Sequence, residues 1–231
     1  MLHDRGFRID SVVAESGPYV AALVRRHSDQ ALHLVALRRD PSSVTLLHDP
    51  EPMMEGYPPH RVDWLRLDDS GTVALLYTHD LPVEGVIGTV VYSVVSDSLA
   101  RTFRSEPNEC KPADVRDLDG DGHPELVIYT QDPSGGQCGS ECHLELGERF
   151  GIGPQWAAVH RWTGTRWQLD EAAFPGFYAD LATRYRSVQQ WLDGADAAAT
   201  RHCTTPRWMR NKSMFRAWAQ RAEEIVAKGH R

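Results

Sequence analysis

Cysteine is scarce in this chain of 231 residues, which has only Cys110, Cys138, Cys142 and Cys203. A scaffold held together by disulfides carries a far denser set, so this fold must rest on an apolar core. Long hydrophobic runs are missing too. Val90-Val91-Tyr92 and Leu126-Val127-Ile128-Tyr129 fall far short of the ~20 apolar residues of a membrane helix, and no membrane span of that kind is expected. Positive charge is in deficit: 25 Lys and Arg against 32 Asp and Glu leave a net charge of −7, which argues against a general nucleic-acid binder. The chain has no Gly-x-Ser-x-Gly, His-Glu-x-x-His, P-loop or Gly-x-Gly-x-x-Gly motif, and its eleven histidines are scattered, so no catalytic constellation is expected. The opening residues Met1 to Gly6 lack the apolar core and cleavage site of a secretory signal peptide.

What is present is an ordinary globular composition, with 41% hydrophobic and 25% charged residues, enough for one large domain or one domain with a small appendage. Charge is unevenly placed. Residues 201–231 hold eight basic and two acidic side chains, which is +6 and leaves −13 on residues 1–200. That pattern reads as a basic helix against an acidic body or as a surface for an anionic partner. The cysteines have several readings. Their even number permits two disulfides. Cys138 and Cys142 resemble half a zinc site. The adjacent pairs Cys142-His143 and His202-Cys203 leave a Cys/His-dependent hydrolase as an alternative.

The chain repeats itself. Segments starting at Ile9-Asp10, Val62-Asp63 and Ala113-Asp114 each pair an apolar residue with Asp. Each then runs through a short strand and an acidic stretch to Gly17, Gly71 or Gly122, followed by an apolar strand. The second and third copies align without a gap, their glycines 51 residues apart. Val- and Tyr-rich segments follow each copy, and Arg161 to Trp167 reads as strand, tight turn, strand. A mainly β region over residues 1–172 is therefore predicted, built of about three antiparallel sheet units. Beyond it the period becomes helical. Phe177, Leu181, Tyr185, Val188 and Leu192 mark one helix between Pro175 and Gly194. Trp208, Phe215, Trp218, Ala222 and Ile225 mark a second, starting after Thr205-Pro206 and stopping at Gly229. Residues 173–231 are thus expected to cap the sheets. The tryptophans are expected to pack rather than to bind, although the three on one hairpin (Trp156, Trp162 and Trp167) keep a carbohydrate-binding, lectin-like alternative open.

The most informative stretch is Asp117-Leu118-Asp119-Gly120-Asp121-Gly122-His123-Pro124-Glu125. Alternate carboxylates in one tight loop repel each other unless a cation joins them. Hard oxygen ligands at this density suit Ca²⁺, which takes roughly six to eight oxygens in flexible geometry. Gly120 and Gly122 let the backbone curl, and the His123 carbonyl would face inward while its imidazole stays exposed. An EF-hand is excluded, because the twelfth position from Asp117 is Ile128 rather than Glu.

The loop and its flanks, Val115 to Ile128, resemble the FG-GAP/VCBS repeat, the calcium loop of integrin-α-like β-propellers. The family pattern Asp-x-Asp/Asn-x-Asp-Gly-x-x-Asp/Glu-Leu is met at every position. The resemblance implies a propeller-like array, with Asp117, Asp119, Asp121 and Glu125 as side-chain ligands and His123 as a carbonyl ligand to Ca²⁺. Arg66 and Ala74 replace the first and last carboxylates in the second copy, where Asp68 and Asp69 remain, and the first copy keeps only Glu15 and Ser16. One metal site is therefore expected. Three units fall short of the about seven blades of such a ring, which leaves an open array capped by helices or an oligomer that closes the ring. A single-loop site of this kind binds weakly, at roughly 10⁻⁴ to 10⁻³ M, as in extracellular modules. That points to a periplasmic or secreted protein whose signal peptide has been removed, with a protein or glycan partner.

Overall fold

Residues 2–28, 31–52, 59–80, 87–105, 113–131, 141–151, 155–194 and 212–229 are described by the structure, a computed structural model. Their twelve strands fall into three four-stranded antiparallel sheets, each a simple meander. Sheet 1 holds β1 (Phe7–Ser16), β2 (Tyr19–Arg26), β3 (Leu32–Asp40) and β4 (Ser43–Pro52). Sheet 2 holds β5 (Arg61–Arg66), β6 (Val73–Asp80), β7 (Ile87–Val95) and β8 (Ser98–Arg104). Sheet 3 holds β9 (Asp114–Arg116), β10 (Glu125–Gln131), β11 (Gln155–Trp162) and β12 (Trp167–Leu169). The predicted mainly β architecture of three antiparallel units is thus present, and the sheets do not close on one another.

The central strands explain the stacking. β2, β3, β6 and β10 carry continuous apolar runs rather than an alternation of apolar and polar residues, as strands covered on both faces do. Successive side chains then enter different cores. Ala21, Leu23, Leu34 and Ala36 of sheet 1 meet Leu75, Tyr77, Val90 and Tyr92 of sheet 2. The intervening Ala74, Leu76 and Val91 face the other way, toward Leu126, Ile128 and Trp167 of sheet 3. Val127, Tyr129, Trp156 and Val159, on the far side of sheet 3, pack against the C-terminal helices.

Three α-helices are described: α1 (Glu141–Phe150), α2 (Pro175–Gly194) and α3 (Lys212–Gly229). The helix α2 has the predicted limits, and Leu181, Tyr185, Val188 and Leu192 of the predicted face are buried, joined by Tyr178 and Ala182. In α3, Phe215, Trp218, Ala222 and Ile225 are buried as the periodicity requires. The expected helix start at Thr205-Pro206 and the expected contact of Trp208 lie outside the described residues. Gly229, the last described residue of α3, has no room for a side chain: a Cβ there would lie 2.9 Å from Cβ of Pro175 and 3.0 Å from the Ala172 carbonyl.

A half-buried carboxylate fastens the cap to sheet 3. Glu171 accepts from the Trp156 indole N–H at 2.7 Å and from the Arg221 guanidinium at 2.8 Å. Arg221 also lies 4.2 Å above the Trp156 ring, close enough for a cation–π contact. The Tyr178 and Tyr185 hydroxyls donate to the carbonyls of Ala157 and Gln155, at 2.9 and 2.6 Å, so the paired backbone of β11 is tied to α2. The helix α1 was not anticipated from the sequence. It lies between β10 and β11 and buries Leu146 against the same core.

Candidate metal centre

The acidic loop joins β9 to β10, with Arg116 opposite Glu125 and Val115 opposite Leu126. Its counterpart joins β5 to β6 with Leu65 opposite Ala74. A shift of 51 residues maps one pair onto the other, so the sequence repeat is also a repeat of register. Gly71 and Gly122 sit at φ +84 and +87, a left-handed backbone that L side chains rarely adopt. Both loops therefore end in the same left-handed turn, while the sheet 3 loop has another at Gly120 (φ +81) that its counterpart Asp69 does not share. Strands flank the loop on both sides, in keeping with the exclusion of an EF-hand.

Within the loop the carboxylates act first on the backbone. Asp117 accepts the N–H groups of Gly120 and Gly122 at 2.7 and 2.9 Å, and Asp119 accepts that of Asp121 at 3.2 Å. The Gly122 N–H, with further loop N–H groups, holds the Asp117 carboxyl below its usual range. These bonds curl the chain so that ligand atoms of Asp117, Asp119 and Glu125 lie within 4.8 Å of one another. Oxygens that share one calcium at ~2.4 Å are separated by at most ~4.8 Å, and the triad meets that limit. Asp121 does not join this group, and its Oδ1 accepts the His123 N–H at 2.7 Å. The His123 imidazole is half-buried rather than exposed, with Nε2 3.7 Å from Asp69.

Glu125 differs from its neighbours. It is 1% exposed. Its Oε2 accepts the Leu118 N–H at 2.8 Å, while Oε1 is buried with no hydrogen-bond partner. Burial pushes its pKa up to about 6, against the Leu118 N–H, and the negative charges of Asp119, Asp121 and Asp117 add to the rise. A buried carboxylate oxygen without a donor is costly. Facing two further carboxylates, it is the arrangement a divalent cation would relieve.

In the second loop Asp68 is satisfied without a cation, and Asp69 is exposed beside His123. Asp68 stands where the acidic loop of sheet 3 has Asp119. It accepts the Ser70 hydroxyl at 2.6 Å, the Thr72 N–H at 3.0 Å and, from sheet 3, the Trp162 indole N–H at 3.2 Å. Although burial pushes it up, bonds from Ser70, Thr72 and Trp162 hold the Asp68 carboxyl well below the usual carboxylate range. The Trp162 contact spans 94 residues and has no local sequence signal. In the first unit the acidic loop is absent. β1 and β2 meet in a two-residue turn, and Glu15 pairs with Arg39 at 3.1 Å.

The other candidate groups divide in two. Trp156 and Trp167 are core residues, each 6% exposed, and Trp156 stacks on Tyr178 and Tyr185. Cys110, Cys138, His202 and Cys203, and the side chains of Cys142 and His143, lie outside the described residues, as do the disulfide, zinc and Cys–His readings that depend on them. No helix among the described residues is long and apolar enough to cross a membrane. No protein-family model, curated protein or solved structure matches this chain.

Proposed function

We propose that this is a calcium-binding, non-enzymatic protein of FG-GAP/VCBS type, with Ca²⁺ structuring the strand–loop–strand of sheet 3. The observation that carries the reading is Glu125 Oε1, buried without a donor beside Asp117 and Asp119. Asp117, Asp119 and Glu125 supply side-chain oxygens. Asp121 completes the set by a turn of its side chain, and the His123 carbonyl adds a main-chain ligand. Bound calcium neutralises the mutual repulsion of the carboxylates and stabilises the folded chain by linkage. Three stacked meanders are propeller-like in construction, and the chain acts as a binding or scaffold module for a protein or glycan. A site this open to solvent fills at the calcium levels outside the cytoplasm, so the proposed location is periplasmic or secreted.

Equilibrium dialysis against radioactive calcium tests the site count. The parent is expected to bind one ion per chain, and Asp119→Ala none. Asp68→Ala is expected to retain one ion, because that carboxylate is occupied by Ser70, Thr72 and Trp162. Two ions in the parent, or loss of calcium in Asp68→Ala with the fold intact, would contradict the assignment.

A further inference from the structure

A second polar site lies on the helix-facing side of sheet 3, the face that Glu125 shares, where β9, β10 and β11 meet α2. A cavity of about 170 Å³ there is lined by Asp114, Arg116, Tyr129, Gln155, Asp180 and Arg184 among others. Its floor is buried, with Tyr129 7% and Gln155 4% exposed. The Tyr129 hydroxyl donates to Asp114 at 2.6 Å, which fixes that carboxylate at the wall. Gln155 Oε1 is buried and has no hydrogen-bond partner. The Arg116 guanidinium rests over the Phe177 ring at 5.4 Å and lies 3.9 Å from Asp114, beyond hydrogen-bond reach. Arg184 pairs with Asp180 at 2.8 Å across one turn of α2, a surface pair that is exchanged at little cost.

We infer that this cavity binds a small zwitterion of the free α-amino acid class. Each wall supplies one charge of each sign, Asp114 and Arg116 from β9 and Asp180 and Arg184 from α2, and the four sum to zero. A lone anion or cation would leave half of these groups facing a like charge. A molecule carrying both a carboxylate and an ammonium group satisfies both kinds. The carboxylate takes the guanidinium donors, Arg116 first because its 3.9 Å contact with Asp114 is beyond hydrogen-bond reach while Arg184 holds Asp180 at 2.8 Å. The ammonium takes the carboxylates, and Gln155 Oε1 accepts one of its N–H groups. The volume of about 170 Å³ is below the roughly 300–1,000 Å³ of drug-sized pockets, which restricts the occupant to a molecule of few heavy atoms. The site shares no ligand with the acidic loop, although Arg116 adjoins Asp117 and lies opposite Glu125; titration in EDTA and in calcium separates the two readings.

The test is isothermal titration calorimetry of the full chain. Each of the proteinogenic amino acids is titrated singly, with sodium acetate and ethylamine as half-ligand probes, in EDTA and again in calcium. At least one amino acid is expected to bind with a stoichiometry of one, while acetate and ethylamine give no heat at the same concentration. Arg116→Met and the exposed Asp180→Asn, each checked for folding by circular dichroism, are expected to weaken it about tenfold or more. The inference is overturned if no amino acid binds at about 10 mM. It is equally overturned if acetate or ethylamine binds as well as the amino acid, or if both folded variants bind like the parent.

Discussion

Replacing Glu125 by glutamine is expected to stabilise the calcium-free protein at pH 7 and to abolish its response to calcium. Glutamine keeps the size of the side chain and an acceptor for the Leu118 N–H. It removes a charge that is 1% exposed and repelled by Asp117, Asp119 and Asp121. A rise from 4.5 to about 6 corresponds to about 2 kcal/mol. The sign follows from linkage. A carboxyl whose pKa is raised by folding contributes stability that is fully present below 4.5 and is lost as pH rises through about 6. In EDTA, the parent should therefore lose stability by this route between those values. Glu125→Gln should lack that slope. Asp117 is shifted the other way, so its contribution is lost only as the pH falls through the acid range below this window. With calcium the dependence reverses, because the metal takes the ionised form. Affinity should fall about tenfold between pH 7 and pH 5, for one proton displaced per ion bound. Urea denaturation of parent and variant in EDTA across this range checks the first part, and calcium titration at the two pH values checks the second. A variant less stable than the parent at pH 7 would mean that Oε1 is not an uncompensated charge.

Tyr185→Ala is expected to cost the largest share of stability of any single change in the cap, about 3–5 kcal/mol. Tyr185 is fully buried. Its ring lies against Trp156, Phe215 and Trp218, with centroids 6.1, 6.0 and 5.4 Å away. Its hydroxyl donates to the Gln155 carbonyl at 2.6 Å. Tyr185→Phe isolates the hydrogen bond and should cost about 1–3 kcal/mol, because a buried carbonyl loses that donor. Urea midpoints followed by tryptophan fluorescence measure both, since Trp156 and Trp218 report on this core. A loss below about 1 kcal/mol for Tyr185→Ala would mean that the cap is not integral to sheet 3.

Those parts of the molecule governed by local pattern were legible in the sequence. The 51-residue offset between Gly71 and Gly122 gave the sheet units, because a left-handed turn and an apolar strand recur together in each. The buried stripe of α2 followed from helical spacing alone. The helix α1 was missed because Glu141 to Phe150 is interrupted by Gly147 and carries few apolar residues. Its place is set by Leu146 entering a core assembled from distant segments. The carboxylate loop was recognisable from its ligand spacing, but the distinct character of Glu125 was not. Its burial is a property of the sheet register, where it begins β10 opposite Arg116. The half-buried state of His123 depends on the neighbouring loop at Asp69. Likewise, one of the three donors that satisfy Asp68 in the second loop, Trp162, is 94 residues away. Contacts of that range leave no trace in local composition.

The Asp117–Glu125 loop is proposed to be a structural calcium site. The most direct measurement is a thermal melt of EDTA-treated protein with calcium added back, run in parallel on the parent and on Asp119→Ala. The parent's Tm is expected to rise with calcium and to saturate in the region of about 0.1–1 mM, while Asp119→Ala stays flat. A parent that melts at the same temperature with and without calcium, or a variant that responds as the parent does, would contradict it.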